Sequence, residues 1–485
     1  MFGIRNCDIL FINPPYQRRR DSGVNIPLGL GYLSAFIRSK GFRPAVIDCA
    51  SLFPNVEKDS MEKIAKLLKE QLVTFRPTLA IGIGPCTLAS VRSLVGIQQA
   101  CKKVFPNTPV IYGGPLASIP GLEWFFFEHL KAYAVISGDA EIVLLEFLRQ
   151  LKSGNKGQVK GVSYGSSMTF SPNSAGNLDE LPFPARDLFD LSLYYPSLRR
   201  DLFVYPFAGV ICTRGCIHRC NFCSSSSIHN GIKSKRSLQN ISKEVQMLVT
   251  DMRVKSIIFY DDCLFSNEST VNEEISEFSQ MMKESGKGVV WQIEMRTNIA
   301  ALLNEKSLIN MYSCGCRQLN MGIEKGTSKG LRSLGKGITV EQAVQACKNI
   351  RLASPKLRLT GTFVLGGPDE TYDEAMQTID YSKKLRLLFA HFYPLEVYPG
   401  TALYGKLFGS DMRSWLNLIN EDSEFGGSLV YEDILKKKDT SKLVCCAYSE
   451  FYQRKEWVDI GKKHLGDKFT YVSQLVRSWA EAPRW

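Results

Sequence analysis

The chain has 485 residues, of which 44% are hydrophobic and 22% charged, and it carries a net charge of +12. This composition excludes a disordered or fibrous protein, and the length predicts two or three domains with large cores. Arg5 and Asp8 interrupt the first apolar stretch, so no signal peptide is expected, and no window approaches the roughly 18 apolar residues of a membrane span. Fourteen cysteines without a secretory signal predict a reducing, cytoplasmic location.

Positive charge is spread along the chain. No block of five or more like charges occurs, and Arg18–Arg20 and Lys436–Lys438 are only triplets. A solvated basic surface is the simplest interpretation, and no nucleic-acid partner is expected. The net charge also favours an anionic substrate or an acidic electron donor.

The first third of the chain alternates short apolar runs with helical stretches. The predicted strands are 8–13, 43–48, 79–84, 110–114 and 134–138. Helices are predicted over 27–40 and 61–75, and further helical stretches separate the later strands. This alternation, with proline or glycine at several strand ends, predicts an α/β fold with a doubly wound parallel sheet. Such sheets bind ligands at the carboxyl ends of their strands.

The most specific signal is a cysteine-rich loop at residues 212–223. Cys216, Cys220 and Cys223 are spaced C-x-x-x-C-x-x-C, and three such thiolates can hold three irons of a 4Fe-4S cluster while the fourth iron stays open. Zinc bound by these cysteines and His218 is the alternative, although zinc sites usually draw their ligands from two separated pairs. Cys212 is interpreted as the end of the preceding strand, because a fourth thiolate would close the cluster.

This spacing, together with the aromatic Phe222 before the last cysteine, resembles the radical S-adenosylmethionine (SAM) superfamily. The resemblance implies that SAM binds the open iron and that an electron from the cluster splits it into methionine and a deoxyadenosyl radical. It further implies a small-molecule substrate and an electron donor of the flavodoxin or ferredoxin type.

The sequence after the cysteine loop continues to alternate strands and helices. Six strands are predicted, at 204–212, 256–260, 289–296, 318–323, 358–365 and 390–397. Six strands fit the partial (β/α) barrel of the superfamily, in which function is expected at the carboxyl ends of the strands.

The resemblance assigns residues at these strand ends to SAM. They are Asp261, Arg296, Glu324, Gly361 and Gly366. Asp261 would face the amino group, with an Asx turn as the alternative. Glu324 would approach the ribose, and the two glycines would let the backbone approach the adenine.

Three further residues at the strand ends are predicted to act as acids or bases. Tyr260 and Asp262 flank Asp261, and alternation places Glu294 on the same face as Arg296. A Glu294–Arg296 pair inside a barrel indicates either a ligand site or a mutual salt bridge.

The loops of the N-terminal sheet carry a second resemblance, to the cobalamin-binding domain attached to one large class of radical SAM enzymes. The segments are Asn13-Pro14-Pro15, Pro27–Tyr32, Gly113-Gly114-Pro115 and Gly138–Glu141. The resemblance implies cobalamin as a further cofactor, bound over strand ends at Asn13, Pro14, Gly84, Gly114 and Gly138.

The sequence departs from that pattern at two points. It has no Asp-x-His-x-x-Gly segment, so no histidine is offered to cobalt, and Ala140 stands where relatives usually have glycine. The alternative is a sheet that only packs against the barrel.

These observations predict four segments. Residues 1–150 form a cobalamin-binding-like domain, 151–200 a linker, 201–405 the radical SAM partial barrel, and 406–485 a small helical cap. The cap contains a helical run over 442–464 and aromatic residues that include Trp415, Phe425 and Tyr431. A plain packing appendage is the alternative for this last segment.

Three functions are compatible with the sequence. The first is cobalamin-dependent methylation of an unactivated carbon in a small biosynthetic intermediate. The second is a cobalamin-independent radical dehydration, deoxygenation or rearrangement of a sugar, as in relatives of aminoglycoside pathways. The third is a non-catalytic cobalamin or redox sensor, which would have no need of strand ends that contact SAM.

Overall fold

The computed structural model describes residues 4–15, 23–53, 61–155, 157–165, 174–196, 204–367, 369–409, 412–413, 429–430 and 439–481. The chain divides into two compact units. The first comprises Met1–Tyr195, Ser227–Asn230 and Tyr398–Leu429. The second comprises Pro196–Ser226, Gly231–Val397 and Val430–Trp485.

The first unit is built on a six-stranded sheet in the order β2-β1-β3-β4-β5-β6. The strands are β1 (Arg5–Asn13), β2 (Pro44–Asp48), β3 (Phe75–Ile83), β4 (Val110–Gly113), β5 (Ala134–Ile136) and β6 (Val162–Ser163). The first five are parallel, and β6 pairs antiparallel with β5. The second half of β1 is continuously buried, as expected for a parallel strand covered on both faces.

Helices connect the strands of the first unit. They are Leu28–Ser39, Cys49–Leu52, Met61–Leu72, Val91–Val104, Glu141–Ser153 and, from the later chain, Ala402–Phe408. Between β4 and β5 the predicted helical stretch is instead a 3₁₀ turn at Leu116–Ser118 and a π-helical turn at Phe125–His129. Pro120 and Gly121 separate these turns, and both residue types disfavour a continuous helix.

The segment predicted as a linker packs onto this sheet in its described part. The Tyr194 hydroxyl donates a hydrogen bond to Asp48 at 2.6 Å, and Arg38 pairs with Asp187 at 2.9 Å. The first unit therefore extends to Tyr195.

The second unit is built on a parallel six-stranded sheet in the order β14-β13-β12-β11-β10-β7. Its strands are β7 (Phe207–Val210), β10 (Ser256–Phe259), β11 (Val290–Arg296), β12 (Cys316–Glu324), β13 (Arg358–Leu365) and β14 (Phe389–Pro394). Short strands β8 (Thr213–Arg214) and β9 (Ser234–Lys235) pair antiparallel near the cysteine loop, and β15 (Glu396–Val397) and β16 (Leu429–Val430) occur later. The six predicted strands are all present, within a few residues of their expected bounds.

Helices alternate with these strands. They are Ser224–His229, Leu238–Thr250, Val271–Gly286, Thr297–Ala301, Glu305–Ser313, Ser328–Ser333, Val340–Ala353 and Tyr372–Lys384. Strand β11 illustrates how the sheet is used. Trp291 and Ile293 point into the hydrophobic core, whereas Glu294 and Arg296 are only partly buried. Ladder pairing places Glu294 opposite Asn320 and Arg296 opposite Gly322.

The C-terminal helices are Asp439–Tyr452, Lys455–Leu465 and Phe469–Glu481. The helical run predicted over 442–464 is therefore two helices. Arg454 explains the break, because it adopts an extended backbone and its guanidinium donates to the Lys383 carbonyl at 2.7 Å while lying over the Phe451 ring. Trp415, Phe425 and Tyr431 lie outside the described residues. Within the described chain, no helix combines the length and the apolar character that crossing a membrane requires.

The first of these helices covers β14, the strand at one end of the sheet. The Tyr452 hydroxyl donates to the Ala390 carbonyl at 2.9 Å and accepts from the Ala390 N–H at 3.1 Å. The Tyr448 hydroxyl accepts from the Phe392 N–H at 3.2 Å. Two tyrosines thus take the place of a neighbouring strand and protect an exposed edge.

We expect Tyr452→Phe to lower the free energy of unfolding by about 1–3 kcal/mol, because it leaves the buried N–H and C=O of Ala390 without their partner. Urea denaturation of the apoprotein measures the effect. Tyr471→Phe is the matched control, since Tyr471 is exposed. Equal stability of the two variants would show that the tyrosine does not close this edge.

Candidate active site

A cavity of about 180 Å³ opens at the carboxyl ends of β10 to β13 in the second unit. Its lining is Asp262, Cys263, Leu264, Phe265, Glu294, Met295, Arg296, Asn320, Met321, Gly322, Glu324, Lys336 and Thr362. Two acidic and two basic residues, Glu294, Glu324, Arg296 and Lys336, therefore face one enclosed space together with Asp262. Charges gathered in this way interact strongly, because the protein screens them less than water does.

The three predicted cluster cysteines lie together in the loop between β8 and the helix Ser224–His229. All three are free thiols, with Cys220 buried and Cys216 and Cys223 half-buried. The Arg296 guanidinium donates to the Cys220 sulfur at 3.5 Å. A guanidinium beside clustered thiolates compensates their negative charge, so the donor set fits an iron–sulfur cluster.

Among the cluster cysteines, Cys216 is favoured as a thiolate, whereas burial raises the pKa of Cys223. A hydrogen bond from Cys263 lowers the pKa of Cys216 to about 6, and the same contact raises the pKa of Cys263. No three His, Cys, Asp or Glu side chains in the described ranges surround a single ion. A cubane cluster does not need three ligands around one ion, because each thiolate binds a separate iron.

His218 and Cys212 are the two residues on which the alternative metal sites depend. Burial, with the charges of Arg296 and Lys336, lowers the pKa of His218 to about 4, so the imidazole is neutral. Cys212 belongs to the hydrophobic core, and burial raises its thiol pKa far above the usual value. A buried thiol of this kind is a poor ligand.

The end of β10 holds the beginning of the cysteine loop. One Asp261 oxygen accepts the N–H of Cys212 at 2.9 Å, the N–H of Thr213 at 2.5 Å and the Thr213 hydroxyl at 2.7 Å. Burial raises the Asp261 pKa to about 6. This geometry differs from the expectation that Asp261 contacts SAM, since its carboxylate braces the loop and does not line the cavity.

The neighbours of Asp261 have different positions. Asp262 lines the cavity and accepts the Ser225 hydroxyl at 2.7 Å. Tyr260 is half-buried, its N–H donates to the Val210 carbonyl at 2.9 Å, and it is not among the lining residues. Of the predicted acids and bases, Asp262 and Glu294 are thus placed at the cavity.

Arg296 at the end of β11 reaches three groups. Besides Cys220, it donates to Asn298 at 3.2 Å and to the backbone carbonyl of Lys336. It therefore connects the cysteine loop with a segment that follows β12.

Glu324 ends β12 with a positive φ of 67° and is buried. Its Oε1 accepts the Lys336 ammonium at 2.7 Å, and the two side chains are only 9% and 10% exposed. A non-glycine residue rarely adopts this backbone conformation, and such strain is concentrated at functional sites. Lys336 was not predicted from the sequence; the flanking Gly335 and Gly337 are the one signal that marks it.

The predicted glycines are Gly361 in β13 and Gly366 just after it. A Cβ on Gly361 would lie 2.6 Å from Leu387 and 2.9 Å from Ile323, so this glycine faces the hydrophobic core. Its neighbour Thr362 is the residue that lines the cavity, and the expectation that the Gly361 backbone approaches adenine stays a prediction. Gly366 has a φ of 80°, and its carbonyl accepts the buried Lys325 ammonium at 2.8 Å.

Lys325 also pairs with Glu370 at 2.7 Å, and neither residue is among those that line the cavity. Burial lowers the lysine pKa and raises the glutamate pKa, while each partner opposes that change. The pair fixes the loop after β13.

In the first unit, the predicted cobalamin residues lie at the carboxyl ends of β1, β3, β4 and β5. Asn13 donates to Asp48 at 2.6 Å, and Asp48 also holds Tyr194. Pro14 is buried. Gly138 has a φ of 72°, and its N–H donates to the Ser118 hydroxyl at 2.8 Å.

Gly84 and Gly114 allow two loops to approach each other. A Cβ on Gly84 would lie 2.8 Å from the Gly113 carbonyl oxygen, and one on Gly114 would lie 2.7 Å from the Cys86 nitrogen. Gly114 also has a φ of 106°. Backbone packing within the unit therefore requires both glycines, whether or not a ligand lies above them.

Residues 210–382 match the family described as the Radical SAM superfamily. This part of the chain is therefore a radical SAM domain. A radical SAM domain implies a 4Fe-4S cluster and SAM as cofactors, and the cysteine loop and the adjoining cavity have the donors for them.

Proteins similar to this chain include methyltransferases. The chain is 28% identical over 460 residues to an uncharacterized methyltransferase of Pyrococcus horikoshii, with 92% of each chain covered. Among solved structures, the radical SAM methyltransferase TsrM from Kitasatospora setae, with cobalamin and a 4Fe-4S cluster bound, matches with a TM-score of 0.62 at 15% identity. That match covers 83% of this chain and 74% of TsrM.

A second solved structure extends over the whole chain. The cobalamin-dependent radical SAM enzyme OxsB, with aqua-cobalamin and SAM bound, matches with a TM-score of 0.66 at 14% identity. The match covers 100% of this chain and 71% of OxsB. At these identities the two solved structures show a shared fold.

The cysteine loop generates the first test of the site. We expect the triple change of Cys216, Cys220 and Cys223 to Ala to abolish iron and sulfide binding after anaerobic reconstitution, and with it deoxyadenosine formation from SAM. Cys212→Ala is the matched control and should keep its iron, because this thiol lies in the core. Iron loss in the control would point to a four-ligand or zinc site.

A second test compares Glu324 at the end of β12 with Gly361 on β13. We expect Glu324→Ala to weaken SAM binding with the cluster retained. Gly361→Val should instead lower the free energy of unfolding by about 1–3 kcal/mol, because its side chain overpacks the core. Calorimetric titration with SAM and urea denaturation measure the two effects. A Gly361→Val protein of normal stability with reduced SAM affinity would reverse our assignment of this glycine.

Proposed function

We propose that this radical SAM enzyme is a cobalamin-dependent C-methyltransferase that acts on an unactivated carbon of a small polar molecule. The observation that carries the proposal is the cavity in which Asp262, Arg296, Glu324 and Lys336 converge beside the three cysteines. The methyltransferase relatives and the shared fold with two cobalamin-binding enzymes support the type of reaction.

The residues of the cavity have distinct tasks in this proposal. Cys216, Cys220 and Cys223 would hold the cluster, with Arg296 compensating its charge at Cys220. Asp262 offers a carboxylate to the amino group of SAM, and Glu324 offers one to the ribose hydroxyls. When bound, the cluster and SAM together supply a deoxyadenosyl radical that abstracts hydrogen from carbon. The side chains orient the reactants and exclude water from this chemistry.

Buried polar groups on two strands of the second unit favour a polar substrate. Asn320 is only 5% exposed and lines the cavity, and its Oδ1 accepts from Gln318 at 3.0 Å. Its amide nitrogen has no hydrogen-bond partner among the described residues, and neither has the buried hydroxyl of Thr360 on the adjacent strand. Buried donors of this kind favour a ligand that accepts hydrogen bonds, and Glu294 beside them favours a hydroxyl or an ammonium group.

The cobalamin part of the proposal rests on the first unit. Its carboxyl edge presents Pro14, Gly84, Gly114 and Gly138, so no large side chain at these positions obstructs a flat macrocycle. These positions offer no histidine to cobalt. We therefore propose that cobalamin is held by shape and backbone contacts at this edge, without a protein ligand on the metal.

A specific observation favours the second function, radical dehydration or rearrangement without cobalamin. Packing between loops already accounts for Gly84 and Gly114, and Asn13 is bonded to Asp48. The sheet would then be a scaffold, and Glu294 or Asp262 would act as acid or base in the cavity.

Cobalt content decides between these functions. We expect protein produced with supplied cobalamin and purified anaerobically to contain about one cobalt per chain, because the proposal places the cofactor at the carboxyl edge of the first unit. Metal analysis and the visible spectrum measure it. Protein produced without cobalamin is the control. A chain free of cobalt under both conditions, with deoxyadenosine still formed, would replace methylation by the second function.

A further inference from the structure

Three neighbouring strands of the second unit place Glu294, Asn320 and Thr360 side by side. Ladder pairing sets Asn320 of β12 opposite Glu294 of β11 on one side and opposite Thr360 of β13 on the other. Residues paired across a parallel ladder share a face, because side chains alternate along each strand. Glu294 and Asn320 line the cavity, and so does Thr362, two residues along β13. The Thr360 side chain therefore lies on the cavity face of the sheet.

Asn320 and Thr360, which we name the donor pair, are buried residues with unused hydrogen-bond donors. Their exposed fractions are 5% and 1%. The Asn320 Oδ1 accepts a hydrogen bond from Gln318 at 3.0 Å, which fixes the amide and turns Nδ2 away from Gln318. Nδ2 and the Thr360 hydroxyl have no hydrogen-bond partner among the described residues. Burying such groups unpaired costs free energy, so packing within the described protein does not account for them.

The charges of the cavity disfavour an anion beside the donor pair. Lys336 is paired with Glu324 at 2.7 Å, and the Arg296 guanidinium donates to the Cys220 sulfur at 3.5 Å. Both basic side chains of the lining are therefore already engaged by protein groups. The Glu294 carboxylate stands directly next to the donor pair on the ladder. A phosphate or carboxylate bound there would be repelled by Glu294, whereas a neutral group would not.

We propose that the donor pair binds a hydroxyl group of the substrate, and that the substrate belongs to the class of neutral polyols and sugars. A hydroxyl has two acceptor lone pairs and one hydrogen. The lone pairs match Asn320 Nδ2 and the Thr360 hydroxyl, and the hydrogen matches the Glu294 carboxylate. A carbonyl has no hydrogen for Glu294, and an ammonium group has no lone pair for the donor pair. The inference rests on the proposed function, since it names a substrate class for the same cavity.

A binding role predicts that the donor pair costs stability in the protein without substrate. Thr360→Val keeps the shape of the side chain and removes a buried hydroxyl that no described group satisfies. We expect its urea midpoint to equal or exceed that of wild type. The matched control is Thr378→Val. The Thr378 hydroxyl is equally buried, but it accepts from the Gly326 N–H at 3.0 Å and donates to the Glu374 carbonyl at 3.2 Å, so its loss should lower the midpoint.

Deuterium transfer tests the substrate class. The reconstituted enzyme is given SAM, dithionite as the electron source, and one probe that carries deuterium on its carbons. Glucose and myo-inositol are the neutral probes, glucose 6-phosphate is the anionic probe, and cyclohexylamine is the ammonium probe. One electron splits SAM into methionine and a deoxyadenosyl radical, which takes a deuterium atom from a probe carbon within reach and leaves a carbon radical. Mass spectrometry measures the labelled fraction of deoxyadenosine, which we expect to be about tenfold higher with a neutral probe.

Variants of the donor pair connect the label to these two residues. Asn320→Leu and Thr360→Val should each lower the labelled fraction obtained with a neutral probe by about tenfold, because each removes a hydrogen bond to the substrate. Their iron content and SAM affinity should match wild type, which separates loss of substrate binding from damage to the cysteine loop. Thr378→Val, compared at equal amounts of folded protein, should keep the wild-type labelled fraction.

The outcomes distinguish this inference from the proposed function. Label transfer needs no cobalamin, so a chain that lacks cobalt yet takes label from a neutral probe would overturn methylation and support the donor pair. Label taken mainly from glucose 6-phosphate or cyclohexylamine, or from none of the probes, would overturn the substrate class. A Thr360→Val protein that is less stable than wild type and takes label normally would identify a structural hydroxyl, and it would overturn the inference as well.

Discussion

The Arg296 guanidinium is the constraint on which the site of the second unit depends. It contacts the sulfur of Cys220 and the carbonyl of Lys336, and so joins the cysteine loop to the turn after the helix Ser328–Ser333. A guanidinium has a fixed planar array of donors, so it sets the angle between these groups as well as their distance. Asp261 restrains the other end of the cysteine loop through three hydrogen bonds. The loop is consequently held by Asp261 at its beginning and by Arg296 at Cys220.

Charge compensation explains how so many ionic groups share one enclosed space. Glu324 pairs with Lys336 in the lining of the cavity, and Lys325 pairs with Glu370 outside that lining. Glu324 and Lys325 are consecutive in the chain, yet their side chains pair with different residues. The positive φ of Glu324 allows the two side chains to diverge. Buried pairs of this kind contribute little net stability, because desolvation offsets their attraction. Each pair does fix the direction of two side chains, through ammonium–carboxylate contacts of 2.7 Å.

Sequence reasoning reached the architecture and the cysteine loop because both depend on local pattern. Alternating apolar strands and helices dictate parallel sheets, and the cysteine spacing carries its own chemistry. It missed Lys336, whose role arises only when folding brings it beside Glu324 and Arg296. It also did not show that Gly361 faces the core, because period-two alternation identifies two faces of a strand without saying which one is the core. Gly361 and Thr362 are adjacent and lie on opposite faces of β13. Only the contacts of the folded chain show which of the two faces the cavity.

The glycines of the first unit can be explained by cofactor binding or by loop packing. Gly84 and Gly114 occur where a flat cofactor would need small residues, yet contacts between neighbouring loops already demand them. Their presence therefore fits a cofactor edge and a scaffold equally well. The polar groups of Asn320 and Thr360 are a different kind of evidence, because no contact within the described protein accounts for their unused donors. An unexplained buried donor indicates a ligand more strongly than an explained glycine does. For this reason the preference for a polar substrate follows from the second unit by itself, whichever reaction the first unit serves.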